Sequence, residues 1–160
     1  MNSVVKGFQR ADRGQLITAC RTGKTLTALF INEKLAADRT LVLVPSLSLL
    51  AQTLREWTAN TKTGFDFLPV CSDETVAEPD AVVANTSDLG FPVTTDPEEI
   101  AAFLRRRSGP DVMFATYQSS PEIAKAFELG HVPNFDLVRS SPLLDDISVE
   151  ARWGLRRHFR

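Results

Sequence analysis

Residues 16–25 read LITACRTGKT, and this stretch decides the predicted fold. An apolar, strand-like segment leads directly into Gly23-Lys24-Thr25, and a helical pattern follows as far as Ala37. A strand, a short loop and a helix N-terminus in this order form a phosphate-binding loop, because backbone N–H groups and the positive end of the helix dipole point at the phosphates. The Lys24 ammonium would reach the β- and γ-phosphates, and the Thr25 hydroxyl would bind Mg²⁺. We therefore expect the chain to bind a nucleoside triphosphate.

The loop departs from the strict pattern G-x-x-x-x-G-K-[ST] at its first position, which is Thr18. Arg21 is a second departure, since a loop that wraps a phosphate often needs glycine for positive φ or close backbone approach. A bulky residue at positive φ costs about 1–2 kcal/mol, although the guanidinium could itself reach the phosphates. We expect Arg21 to weaken nucleotide binding. The residues predicted to contact the nucleotide are Cys20, Arg21, Thr22, Gly23, Lys24 and Thr25.

Length and composition point to one domain with a single core. The chain has 160 residues, 43% of them apolar, and a net charge of −2, so nothing in the overall charge demands nucleic acid. Its 2 cysteines predict a reducing compartment and no disulfide framework. His131 and His158 stand alone, without the spacing of metal ligands.

The sequence shows no targeting or membrane segment. Residues 1–10 lack the apolar core of a signal peptide. The longest apolar run, residues 41–50, contains Pro45 and two serines and is too short to span a bilayer. We therefore expect a cytoplasmic protein with no membrane partner.

Strand-like and helical patterns alternate along the chain, which predicts an α/β fold of three layers with a mainly parallel sheet. Residues 72–95 are acidic and rich in turn formers, and they predict a long surface excursion with a short strand at 81–84. Helix start signals are Asp96 followed by Pro97, and Ser120 followed by Pro121. The predicted strands are 14–19, 40–44, 65–71, 112–116 and 135–138, and the predicted helices are 25–37, 47–57, one that begins after Asp96 and ends at 105–107, and one that begins after Ser120 and stops at Gly130.

Three separated segments resemble one family, the superfamily 2 helicases. Residues 19–25, ACRTGKT, are similar to motif I in the ACGTGKT form that is usual in the branch related to type III restriction enzyme subunits and DEAD/DEAH-box helicases. Residues 43–52, LVPSLSLLAQ, resemble motif Ia. Residues 114–119, FATYQS, resemble the later strand-end motif Thr-Tyr-Gln-Ser. The resemblance covers residues 8–138 in the family's order and spacing.

This resemblance implies a RecA-like P-loop NTPase fold and a partial N-terminal helicase ATP-binding domain over residues 1–138. It implies ATP and Mg²⁺ as cofactors and nucleic acid, DNA rather than RNA, as a partner. Ligands of open parallel sheets collect at the carboxyl ends of the strands, where all three motifs lie. The residues expected to contact the nucleic-acid backbone are Pro45, Ser46, Thr116, Tyr117 and Gln118.

The chain departs from the family where the acidic motif belongs. The family strand ends in Asp-Glu, whose Asp organises Mg²⁺ and whose Glu orients the attacking water. Here the strand that starts at Phe135 continues as Arg139-Ser-Ser-Pro142, and Asp145 and Asp146 follow out of register. We assign no catalytic residue and expect no useful ATP hydrolysis by this chain alone.

Residues 139–160 match nothing in the family and are predicted to be an irregular or aberrant tail, as a truncated or frame-shifted end would be. The resemblance implies a segment before Lys6 that contacts adenine, and we expect this chain to lack it and the remainder of the motor to lie elsewhere. Two other interpretations stay open. One is a stand-alone P-loop nucleotide-binding protein such as a small kinase, for which Arg105–Arg107 would imitate a lid. The other is a remnant that binds nothing tightly.

Overall fold

The computed structural model describes residues 13–16, 23–72, 90–106, 109–140 and 149–152. Within these ranges the strands are β1 (Arg13–Leu16), β2 (Arg39–Val44), β3 (Asp66–Val70), β4 (Asp111–Thr116), β5 (Leu137–Ser140) and β6 (Val149–Arg152). The helices are α1 (Lys24–Leu35), α2 (Leu47–Asn60), α3 (Pro97–Leu104) and α4 (Ser120–Glu128), with a single 3₁₀ turn at Tyr117–Ser119.

The strands form one sheet in the order β1-β6-β5-β2-β4-β3. Its central part is parallel: β2 pairs with β4 from Arg39↔Asp111 to Val44↔Thr116, and β5 and β3 extend the parallel set on either side. β6 runs antiparallel to both β1 and β5. The predicted α/β fold with a mainly parallel sheet is confirmed, and the antiparallel pairing of β6 is an addition that the sequence did not predict.

Apolar side chains cover both faces of the sheet, which makes three layers. α1 and α2 pack on one face, over Val42, Val44 and Phe114. α3 and α4 pack on the other, over Leu41, Met113 and Ala115. Neighbouring residues of β2 therefore pack into the cores on opposite faces of the sheet. A run of consecutive apolar residues is typical of such a strand, because both of its faces are covered.

Helix boundaries follow local capping chemistry in one case and not in another. Asp96 caps α3 as predicted: its Oδ1 accepts a hydrogen bond from the Glu98 N–H at 2.9 Å, and Pro97 is the first helical residue. The prediction that Ser120 caps α4 is wrong, because the 3₁₀ turn runs straight into the helix and makes Ser120 its first residue. The predicted strand at 81–84 lies outside the described residues.

The last parallel strand starts two residues later than predicted, at Leu137. The reason lies at Asp136, whose N–H donates to the Arg39 carbonyl at 2.8 Å while its Oδ2 accepts from the Arg39 N–H at 2.9 Å. This paired contact aligns β5 with the start of β2. The structure also forms a strand at 149–152, where the sequence predicted an irregular tail. The predicted domain boundary at residue 138 stays a prediction.

The amino edge of the sheet buries a carboxyl group. Asp111 is 2% exposed and its Oδ1 has no hydrogen-bond partner in the described part of the chain. Burial raises the pKa of this carboxyl, Asp66 and Asp38 raise it further, and the positive charges of Arg39 and Arg106 oppose them. A carboxyl whose folded-state pKa lies above its ordinary value of 3.8 binds a proton more strongly when folded. Protonated Asp111 therefore stabilises the fold at low pH, and this stabilisation is lost as the pH rises from 3.8 through the raised folded-state pKa.

We expect Asp111→Asn to raise the thermal unfolding midpoint at pH 7, because it removes a charge that burial disfavours. The advantage over the unsubstituted chain should shrink as the pH falls towards 3.8. Thermal melts by circular dichroism across this range check the prediction. Asp66→Asn, at an exposed position in register with Asp111, is the control and should give a smaller rise. A lower midpoint for Asp111→Asn at pH 7 would show that the carboxylate stabilises the fold.

Candidate nucleotide and nucleic-acid site

No described residue accepts a hydrogen bond from the first backbone N–H groups of α1. Gly23 precedes it with φ 71° and ψ 37°, a left-handed conformation that favours glycine. A Cβ at Gly23 would meet nothing within 4 Å, so the backbone angle and not space requires glycine there. No side chain caps the helix, and the first N–H that bonds back is that of Thr27, to the Gly23 carbonyl at 2.9 Å. The N–H groups of the turn before it are available to an anion.

A buried tryptophan holds this turn in place. The indole N–H of Trp57, on α2, donates to the Thr25 carbonyl at 3.0 Å. Trp57 is fully buried, and its ring meets Phe65 and Phe114 edge to face, with centroids 6.2 and 5.5 Å away. The position of the first turn of α1 thus depends on α2 and β4, two elements far from it in sequence.

Of the six residues predicted to contact the nucleotide, the structure describes three. Gly23 is exposed, and Lys24 and Thr25 are partly buried at the first two positions of α1. Cys20, Arg21 and Thr22 lie outside the described residues. Their roles, and the effect of Arg21 on the loop, stay predictions.

The residues predicted to contact nucleic acid meet at the carboxyl edge of the sheet. Val44 and Thr116 are paired across β2 and β4, so Pro45 and Tyr117 follow the ends of two neighbouring strands. Ser46 caps α2 through its Oγ, which accepts from the Leu49 N–H at 3.3 Å. Motifs Ia and Thr-Tyr-Gln-Ser therefore form one continuous stretch of this edge.

These residues differ in exposure. Thr116 is fully buried, and its Oγ1 lies 3.0 Å from the Ser119 Oγ, so the pair of hydroxyls braces the 3₁₀ turn. Gln118 is exposed and Tyr117 is partly buried. A ligand on this edge would thus meet Tyr117 and Gln118, while Thr116 holds the turn that presents them.

A buried arginine occupies the end of β5, and sequence reasoning missed its importance. Arg139 is 6% exposed, and neither its Nε nor its Nη1 has a hydrogen-bond partner in the described residues. Loss of hydration lowers the pKa of its guanidinium to about 10, although Tyr117 and Glu56 favour the charged form. A charged residue inside a strand of alternating burial was the available signal, but it lay beyond the last family motif.

No acidic pair accompanies the phosphate-binding turn in the described structure. Among residues 23–72, 90–106 and 109–140, no group of three His, Cys, Asp or Glu side chains could hold a metal ion. Asp145 and Asp146 lie outside the described residues. In this part of the chain, Thr25 is the predicted Mg²⁺ ligand.

This geometry is that of a RecA-like lobe, and comparisons with known proteins assign it to a family. Residues 1–137 match the family of the type III restriction enzyme, res subunit. The chain belongs to that family and forms part of the N-terminal lobe of a superfamily 2 helicase.

Relatives of known description agree. A probable helicase of African swine fever virus (isolate Tick/Malawi/Lil 20-1/1983) is 36% identical over 122 residues, which cover 76% of this chain and 13% of the viral protein. The corresponding protein of the Badajoz 1971 Vero-adapted strain is 37% identical over 123 residues. The chain thus spans about an eighth of the length of these relatives.

Solved structures give the same assignment. The ATP-dependent Type ISP restriction-modification enzyme LlaBIII bound to DNA superposes with a TM-score of 0.71 and 34% identity, over 86% of this chain and 9% of the enzyme. A nuclease-deletion mutant of the Type ISP enzyme LlaGI, in complex with a DNA substrate mimic, gives a TM-score of 0.69 and 35% identity. The match covers 87% of this chain and 14% of that chain. The small-kinase alternative is not favoured, since these relatives are helicases and restriction enzymes. None of the described helices has the length and apolar content needed to cross a bilayer.

Proposed function

We propose that this chain binds ATP at the first turn of α1 and DNA along the carboxyl edge of its sheet, as the N-terminal motor lobe of a DNA helicase or translocase. The observation that carries the proposal is the uncapped first turn of α1, with Gly23 in a left-handed conformation and Lys24 as the first helical residue.

The residues present fit the nucleotide. Three consecutive N–H groups at the start of a 12-residue helix, next to a Lys ammonium, provide the donors and the positive charge that a triphosphate requires. Since Trp57 and its aromatic neighbours hold the turn, these donors are preorganised, and binding would not have to order them.

The residues present fit Mg²⁺ less well. Mg²⁺ prefers oxygen ligands and is usually held by one or two carboxylates together with the phosphates. In the described residues Thr25 would supply a hydroxyl, but the strand β5 ends in Arg139 and Ser140 and brings no carboxylate. We therefore route no chemical step through the metal.

The carboxyl edge supports the DNA part of the proposal. Ser46, Tyr117 and Gln118 present hydroxyl and amide groups beside the N-terminus of α2, and such groups bind phosphate oxygens without reading the base sequence. The solved relatives LlaGI and LlaBIII were captured with DNA or a DNA mimic, which favours DNA over RNA. Contacts of this kind position a strand and predict binding that weakens as salt is raised.

ATP affinity tests the proposal. By calorimetric titration, Lys24→Ala should weaken ATP binding about tenfold or more, because it removes a charged donor to the phosphates. Arg21→Gly should tighten binding, because glycine adopts positive φ without strain; equal affinity would contradict the steric account of the loop. Lys34→Ala, an exposed lysine at the other end of α1, is the matched control and should bind like the unsubstituted chain. Equal affinity for Lys24→Ala and the unsubstituted chain would overturn the proposal.

A further inference from the structure

The buried guanidinium of Arg139 requires an anion that the described residues do not provide. Its Nε and Nη1 donate to no residue that the structure describes, and the residue is 6% exposed. A buried charge without a partner is strongly unfavourable, so such groups are normally paired or bind a ligand. Among the described residues, Tyr117 and then Glu56 favour the charged form of Arg139, and Glu56 is the one carboxylate of the two. No hydrogen bond joins Glu56 to Arg139; Glu56 Oε1 accepts from Gln52 Nε2 at 2.9 Å.

The topology places Arg139 on the face of the sheet that carries α1, near the carboxyl edge. Leu137 packs against Leu35 and Ala37 at the end of α1, on the inner face of β5. Arg139 lies on the same face, two residues further towards the carboxyl edge, in register with Val42. α1 ends at the amino edge of the sheet, just before β2 begins, so its first turn lies nearer the carboxyl edge. Arg139 is likewise nearer the carboxyl edge than Leu137.

Two independent features of the structure are thus both electrically positive. The first turn of α1 offers N–H groups that no side chain caps, together with Lys24. β5 offers a buried cation with two donors from which no described residue accepts. The position at the end of β5 is where the family resemblance implies acidic residues that recruit Mg²⁺. A guanidinium there would repel a divalent cation and attract the phosphates themselves, for which its planar fork is well suited.

We propose that Arg139 binds the phosphate chain directly, so that this site takes a polyphosphate anion without a divalent cation. The inference rests on the proposed function, because it uses the same phosphate-binding turn. It differs in what neutralises the phosphates: a resident guanidinium takes the role that Mg²⁺ and its carboxylates would otherwise have. The ligand class is a nucleoside triphosphate or inorganic triphosphate, both of which carry the recognised group.

Calorimetric titrations of the full chain with ATP and with inorganic triphosphate, each in excess MgCl₂ and in EDTA, test the inference. We expect binding in EDTA to be at least as tight as in Mg²⁺. Arg139→Gln should weaken binding in EDTA about tenfold or more, which is the effect of losing a charge-assisted hydrogen bond. Arg55→Gln, at an exposed arginine of α2, is the matched control and should leave the affinity unchanged. Binding of ATP but not of triphosphate in EDTA would overturn the assignment of the ligand class.

A second variant separates binding from folding. Arg139→Leu should raise the thermal midpoint of the free chain, because an unpaired buried charge is replaced by an apolar side chain, and it should abolish the rise that triphosphate produces. A lower midpoint of the free chain would make Arg139 a structural residue and overturn the inference. The inference would also be overturned if Arg139→Gln and the unsubstituted chain bound equally well in EDTA, or if binding required Mg²⁺. In either case, a loss of affinity in Lys24→Ala would still support the proposed function. Binding in neither solution would overturn both.

Discussion

Phosphate release from ATP by this chain is expected to remain at the level of its Lys24→Ala variant, with or without single-stranded DNA. ATP hydrolysis by P-loop proteins needs an Asp that holds Mg²⁺ and a residue that orients the attacking water. The strand that should end in these residues ends in Arg139 and Ser140, and Ser141 and Pro142 follow. An arginine finger, which a second lobe or a partner supplies in related enzymes, is alone worth about 10³–10⁵ in rate. Without the acidic pair as well, the remaining rate should fall below detection.

A phosphate-release assay at saturating ATP and Mg²⁺ checks this expectation. The Lys24→Ala variant is the control, since any contaminating ATPase would remain in it. DNA-stimulated turnover that disappears in Lys24→Ala would contradict the prediction. It would mean that Asp145 or Asp146 reaches the metal, and that residues beyond β5 complete the active site.

Replacing Trp57 by alanine is expected to cost about 3–5 kcal/mol of unfolding free energy, the usual range for removing a buried Trp or Phe side chain. Trp57 is fully buried, contacts Phe65 and Phe114, and donates to the Thr25 carbonyl. The substitution leaves a cavity between α2 and β4 and frees the first turn of α1. Because that turn holds the proposed phosphate-binding donors, ATP affinity should fall together with stability.

Urea unfolding followed by circular dichroism measures the effect on stability. Trp57→Phe keeps an aromatic ring but loses the indole N–H, so it should cost less than Trp57→Ala and still loosen the turn. Amide hydrogen exchange at Leu26 and Thr27 would report that loosening directly. A loss below about 1 kcal/mol in Trp57→Ala would show that the core closes around the cavity, and would remove the link between Trp57 and the turn.

Much of the fold is predictable from local patterns. The run at 40–44 is apolar after Thr40, which predicts a strand covered on both faces, and β2 is one of the two inner strands of the parallel set. Asp96 followed by Pro97 predicts the start of α3 because both residues act within one turn of the chain. The Gly23-Lys24-Thr25 sequence similarly predicts the helix start, since a left-handed residue before a helix favours glycine.

Contacts between distant segments were not predictable in this way. The later start of β5 depends on the paired contact of Asp136 with Arg39, and 97 residues separate the two. The wrong cap at Ser120 arose because the 3₁₀ turn after Thr116 is braced by the buried hydroxyl of Ser119. In both cases the local signal was present, but a tertiary contact moved the boundary.

By itself the sequence determined the class of the fold, the family and the phosphate-binding turn, because these depend on the periodicity and residue types of short segments. Only the tertiary structure decided that Trp57 holds that turn, that Thr116 is buried while Gln118 is exposed, and that Arg139 is buried without a partner for its Nε and Nη1 among the described residues. It also placed β6 between β1 and β5. The physical reason is that burial and strand pairing depend on which distant segments compete for the same surface, and no local pattern of residues encodes the outcome of that competition.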